Sequence, residues 1–293
     1  MKKYILLFIK ILIIQQLLFG WENDAVKADV FMTKRHLQEA QMNINFIPAF
    51  VKTPSNFIFL SSKESLYLLG REGLVEVFDY FDVSSFALSA RGELYFVQGD
   101  MLRKFDESTS ALIDVIQLPN IKMRLSTGKE ALYIYDAGKI PSADYAIYKL
   151  FSDGSYIKII EVPTPINAVA EIENYLFFST VNSLYIIDIG NEFVQEIATL
   201  ENQNDRIISI AIDEVNDVLY FSGEYAIFRI QNDEIVCVND QFGGLLQIDD
   251  FGLVIFNPAE QFVVRLRHTA LFAEEEPVLN ENRTFVMPTQ RNH

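Results

Sequence analysis

The chain repeats itself six times. A short run of alternating apolar residues recurs as NFIFLS (56–61), ELYFVQ (93–98), ALYIYD (131–136), YLFFST (175–180), VLYFSG (218–223) and GLVIFN (252–257). The equivalent positions Phe57, Leu94, Leu132, Leu176, Leu219 and Leu253 lie 37, 38, 44, 43 and 34 residues apart. Period-2 alternation predicts strands with two packed faces. A repeat of roughly 40 residues predicts a modular array, in which each unit buries its faces against its neighbours.

Three further runs keep step with these anchors. Before most of them lies a short apolar run, such as SFALS (85–89), INAVAEI (166–172) or IISIAID (207–213). About eight residues after each anchor comes a third run, including SLYLLG (65–70), YAIYKLF (145–151) and AIFRI (226–230). A fourth follows in five copies, from LVEVF (74–78) to EIVCV (234–238). Turn-forming stretches such as SDGS, IGNE and DDFG separate the runs. Four short strands, repeated six times, predict an all-β fold: a six-bladed β-propeller of four-stranded antiparallel blades. Abundant aromatics, 24 Phe and 13 Tyr, suit the space between sheets.

The sixth copy lacks a clear fourth run. The stretch ADVFMT (28–33) is expected to supply it and close the ring, with NINFIPAF (43–50) as the inner strand of the first blade. The alternative is a tail strand near Leu271. The expected organisation is a signal segment over 1–20, an N-terminal segment with the closing strand over 21–42, the propeller over 43–267, and an acidic, partly disordered tail over 268–293.

The N-terminus pairs Lys2 and Lys3 with an apolar stretch from Tyr4 to Gly20, before charges begin at Glu22. This is the layout of a secretory signal. A retained anchor is the alternative, but Lys10 interrupts the stretch and costs about 2.5–3.5 kcal/mol at a bilayer centre. The expected location is therefore secreted or periplasmic, with no integral membrane domain once the signal is cleaved. The formal charge is −16, and loss of residues 1–20, which carry three lysines and no acid, makes it −19. Nucleic acid phosphates would repel such a body, whereas a basic partner would suit it. A monomer is expected.

The segment IAIDEVNDVLYFS (210–222) resembles the repeat of six-bladed YWTD propellers and of the related NHL and TolB-like repeats. Ile210-Ala211-Ile212-Asp213 stands at the strand before the turn, and Leu219-Tyr220-Phe221-Ser222 at the strand after it. The family tryptophan is absent, since Trp21 is the sole Trp and precedes the repeats. The resemblance implies an extracytoplasmic binding propeller and supplies no ligand.

The enzymatic alternative is a channel-centred, calcium-dependent hydrolase of the lactonase or strictosidine-synthase-like type. Its metal would need converging oxygen ligands. Candidates near inner-strand ends are Asn167, Glu171, Asp213, Glu214, Asp249 and Asp250. Because Glu171, Asp213 and Asp249 fall where each inner strand gives way to a turn, the expectation is that they accept backbone hydrogen bonds there and that no metal or other cofactor is held. The sequence has no G-x-S-x-G elbow, Walker loop, dinucleotide glycine pattern or H-E-x-x-H. The three histidines, His36, His268 and His293, lie outside the repeats and are expected at the surface or the closure. Cys237, the one cysteine, allows no intramolecular disulfide and is expected to be a small core residue.

One irregularity remains. Blade three carries DAGKIPSADY (136–145) between its second and third strands, where blades two, four and five have about three or four residues. Loops on a rigid scaffold favour binding, so Lys139, Ile140, Pro141 and Tyr145 are the candidate contact residues. The expected function is a non-catalytic module that binds a protein or peptide, with the hydrolase as one alternative. Small-molecule or glycan binding at the channel mouth is the other.

Overall fold

The structure, a computed structural model, describes residues 28–32, 49–52, 58–61, 65–70, 73–79, 83–106, 109, 111–138, 144–191, 193–200, 205–232 and 234–271. Among these residues the chain forms six four-stranded antiparallel sheets. Blade one holds β2 (Ala49–Lys52), β3 (Ile58–Ser61), β4 (Ser65–Gly70) and β5 (Gly73–Asp79). Blade two holds β6 (Val83–Leu88), β7 (Leu94–Gln98), β8 (Met101–Asp106) and β9 (Ala111–Gln117). Blade three holds β10 (Met123–Thr127), β11 (Leu132–Asp136), β12 (Tyr145–Leu150) and β13 (Tyr156–Val162). Blade four holds β14 (Ala168–Ile172), β15 (Tyr175–Ser179), β16 (Ser183–Asp188) and β17 (Phe193–Thr199). Blade five holds β18 (Ser209–Asp213), β19 (Val218–Ser222), β20 (Ile227–Gln231) and β21 (Glu234–Asn239). Five blades have their side chains described; for blade one the description is essentially of backbone pairing.

The sixth sheet closes the ring. Its strands β22 (Leu245–Asp249), β23 (Gly252–Asn257) and β24 (Phe262–Arg267) are joined on the outside by β1 (Ala28–Met32). Ala28 pairs with Leu266 and Val30 with Val264. The N-terminal closure expected from the sequence is thus observed. Leu271 lies instead in a short helix, α1 (His268–Leu271). The inner strand of blade one begins at Ala49, so most of the expected 43–50 run falls outside the described residues.

The first strand of every blade lies innermost. Each inner strand contacts the next around a full circle: β2 to β6, β10, β14, β18, β22 and back to β2. Alternation explains the packing. In β11, Leu132 and Ile134 face blade two, where they meet Ala87, Tyr95, Val97 and Leu102. Their neighbours Tyr133 and Tyr135 face blade four, where they meet Val169, Leu176 and Phe178. The same division places Leu219 and Phe221 against blade four, and Val218 and Tyr220 against blade six. Burying one such side chain contributes about 1.5–3 kcal/mol, so stability is spread over the interfaces.

Hydroxyl groups staple those interfaces. Ser85 Oγ accepts from Leu125 N at 3.0 Å and Ser126 donates to Val169 O at 2.6 Å. Ser179 donates to Ile207 O at 3.2 Å, and Ser209 Oγ accepts from Leu246 N at 2.9 Å. Gly252, at φ 152, pairs with Arg267 so closely that a Cβ would lie 2.0 Å from Leu266 O, which leaves room for no other residue.

One expectation is corrected. Cys237 is exposed, not core. It sits in β21, the outermost strand of blade five, where Ile235 and Val238 turn toward the core instead.

Candidate functional site

Strand direction gives the ring two faces. First-to-second and third-to-fourth turns share one, here the turn face; second-to-third and fourth-to-first connections share the other, the loop face. The acids at the ends of inner strands therefore lie on the turn face, and the blade-three insertion on the loop face.

Register decides what each acid does. Asp213 pairs with Val218, and Asp249 with Gly252, one residue before the Leu219 and Leu253 anchors. The two are equivalent, and both hold their own turns. Asp213 accepts from Asn216 N at 3.1 Å and Asn216 Nδ2 at 2.8 Å. Asp249 accepts from Phe251 N at 2.9 Å and Gly252 N at 3.0 Å. Asp217, at φ 54, takes the left-handed conformation that completes the blade-five turn.

Glu171 is one position out of step. It pairs with Leu176, the blade-four anchor, so it emerges on the opposite side of the sheet and reaches blade three. There it accepts from Tyr133 Oη at 2.6 Å, Lys129 N at 2.7 Å and Lys149 Nζ at 3.2 Å. Its side chain is only 3% exposed. Burial and this carboxylate together push the Tyr133 hydroxyl well above the ordinary tyrosine range, which keeps it a donor.

A second pattern escaped the sequence reading. Lys104, Lys149, Arg229 and Arg265 occupy one register on the third strands, opposite Tyr95, Tyr133, Tyr220 and Val254. Each is satisfied differently. Lys104 pairs with Glu93 at 2.5 Å and lies over the Tyr95 ring; its hydrogen bond holds the Glu93 carboxyl below the usual range. Lys149 pairs with Glu171. Arg229 donates to Leu271 O of α1. Arg265 donates from Nε to Asp249 at 2.9 Å and from Nη1 to Asp29 of the closing strand at 3.2 Å. The signal was present as a basic residue in each of the third runs RKF, YKL, FRI and VRL, with RKF holding two.

Helix α1 seals the seam between blades five and six. Leu271 is buried among Ala211, Tyr220, Leu246 and Leu253. His268 Nδ1 lies 3.5 Å from Asp213 Oδ2, so this histidine is at the closure, as expected. The Tyr220 hydroxyl, buried between Asp213 and Arg229, has no hydrogen-bond partner among the described residues. The reason is register again: Ile248 pairs with Leu253 and stands where Glu171 stands in blade four.

On the loop face, Asn167 donates from Nδ2 to Thr180 O at 2.7 Å. Asp136, which the sequence reading did not single out, accepts from Ala146 N at 2.9 Å and from Asn120 Nδ2. It thereby pins the base of the blade-three insertion. Tyr145 at the far end of that insertion is 6% exposed and packed in the core between blades three and four. Lys139, Ile140 and Pro141 lie outside the described residues.

Asn167, Glu171, Asp213 and Asp249 are therefore engaged at four separate places. Among the described residues, no group of three or more His, Cys, Asp or Glu is placed to hold a metal ion. The exposed acids Glu214 and Asp250 flank Asp213 and Asp249 on the turns.

No protein-family model matches the chain, and no curated protein does. Solved structures do. One, described provisionally as a gluconolactonase, superimposes with a TM-score of 0.63 at 12% identity, covering 83% of this chain and 93% of its own. An extracellular domain from B. thetaiotaomicron, described as part of a one-component system, gives 0.56 at 13% identity, over 74% of this chain and 32% of its own. A second structure of the extracellular domain of that same protein, there described as a hybrid two-component system, gives 0.52 at 11% identity, over 75% and 38%. These likenesses establish the propeller fold. At such identities they carry no residue roles across.

Proposed function

We propose that the chain is an exported, non-catalytic propeller that binds a protein or peptide on its loop face. The observation that carries this reading is the blade-three insertion. It stands on a stem fixed at one end by Asp136 and at the other by buried Tyr145. A rigid stem lowers the ordering cost of the loop it presents. Lys139, Ile140 and Pro141 are the proposed contacts, with Tyr145 as their support. No cofactor is required, and the negative charge suits a basic partner. Export is supported by the N-terminal sequence and by an extracellular domain among the fold neighbours. Among the described residues no helix is long and apolar enough to cross a membrane.

The calcium-dependent hydrolase is the second reading, favoured by the likeness to the structure described as a gluconolactonase. It would draw its ligands from Asn167, Glu171, Asp213 and Asp249, each of which would have to leave its present partners.

The test is a pull-down from the exported fraction with the full chain and with residues 137–144 replaced by a short Gly-Asn turn. A partner captured by the first and lost by the second supports the binding reading. Lactone hydrolysis by both, dependent on added calcium, contradicts it.

A further inference from the structure

The turn face is divided. In blades four, five and six, every first-to-second turn sets an exposed acid beside an exposed apolar side chain: Glu173 with Tyr175, Glu214 with Val215, Asp250 with Phe251. Val215 is 93% exposed, Phe251 56% and Tyr175 42%. Asp217 adds a fourth exposed carboxylate. The corresponding turns differ: blade two exposes Arg91, blade three exposes Lys129 with Glu130, and neither exposes a large apolar residue. Since β14, β18 and β22 touch in sequence, the three acid-and-apolar turns stand side by side along one arc.

Internal contacts explain only part of this arc: the Arg265 guanidinium lies over the Phe251 ring, 5.1 Å from its centroid. The turns are already held by Asp213 and Asp249, which are 2% and 1% exposed. Glu214, Asp217 and Asp250 form no ion pair or hydrogen bond within the described structure, and a side chain as exposed as Val215 contributes nothing to the core. An acid next to an apolar tip, three times over, is complementary to a surface that alternates cation and apolar side chain.

We infer that the turn face of blades four to six docks a cationic amphipathic segment of a partner protein. The inference rests on the reading of the chain as a binding module, but it places a second contact on the face opposite the blade-three insertion.

The probe is a synthetic peptide alternating lysine with leucine, titrated into the full chain, with a glutamate-leucine peptide as control. Hydrogen exchange locates the contact on the unaltered chain. The expected result is protection of 173–175, 214–217 and 250–251, weakening with salt. Changing Glu214→Gln, Asp217→Asn and Asp250→Asn together should weaken binding about tenfold. Val215→Ser with Phe251→Ser should do the same, while the shortened 137–144 loop should leave it unchanged. Equal binding of the two peptides, or no binding of either, overturns the inference. Protection confined to 136–145 overturns it while supporting the loop-face reading. Flotation with phosphatidylcholine vesicles that Val215→Ser with Phe251→Ser abolishes would overturn it in favour of a lipid surface.

Discussion

Glu171 in blade four and Asp213 in blade five sit in the same part of the repeat, near the end of an inner strand. Glu171 crosses to blade three and binds Tyr133 and Lys149. Asp213 ties its own turn through Asn216 and lies 3.5 Å from His268 of α1. One residue of register separates them, and in a strand one residue reverses the side on which a side chain emerges. The difference shows that acidity near an inner-strand end does not define a site in this fold. Parity along the strand decides whether a carboxylate joins blades or shapes a turn.

The largest test is Glu171→Gln. It leaves Lys149, whose side chain is only 18% exposed, without its counter-charge, and should cost about 2–3 kcal/mol in denaturant unfolding. A loss no larger than that of Asp213→Asn would erase the distinction. Asp249→Asn comes next. It shares Asp213's register but also pairs with Arg265, which keeps Asp29 as a second partner; about 1–2 kcal/mol is expected. Asp213→Asn should be mildest of the three, under about 1 kcal/mol, because asparagine serves a turn nearly as well.

The smallest effect is one of pH. Hydrogen bonds from Arg267, then Arg265, hold the Asp29 carboxyl below its ordinary value. A folded pKa below the unfolded one stabilises above the unfolded value, near 3.8, and that contribution is lost as pH falls through the folded pKa. Thermal melts of the native chain and Asp29→Asn should therefore differ from pH 7 down to about pH 4 and converge only as the pH falls further, through the lowered folded pKa. Both Asp29 and Arg267 are partly exposed, so the difference should be small and should shrink with salt.

Much of the architecture was legible in the sequence. Period-2 alternation and a repeat of about 40 residues sufficed to place the strands, because both faces of every blade must be apolar. The closing strand was legible too, since the sixth copy was short by one run that 28–33 could supply. The site was less so. Asp213 and Asp249 end their strands and accept backbone hydrogen bonds from the turns that follow, as turn chemistry suggested, but Glu171 looked like them until pairing fixed its parity. Cys237 misled because alternation in EIVCV predicts a buried face without revealing that β21 is outermost. The roles of Lys104, Lys149, Arg229 and Arg265 required the cross-strand register, which a linear sequence does not display. Helix α1 is four residues long, too short for a periodic signal.

In the proposed reading these carboxylates build the propeller and hold no metal. Calorimetric titration of calcium into the metal-free full chain tests it most directly. The expected result is no saturable binding, and no rise in melting temperature at about millimolar calcium. Stoichiometric binding that disappears in Glu171→Gln or Asp213→Asn would contradict it.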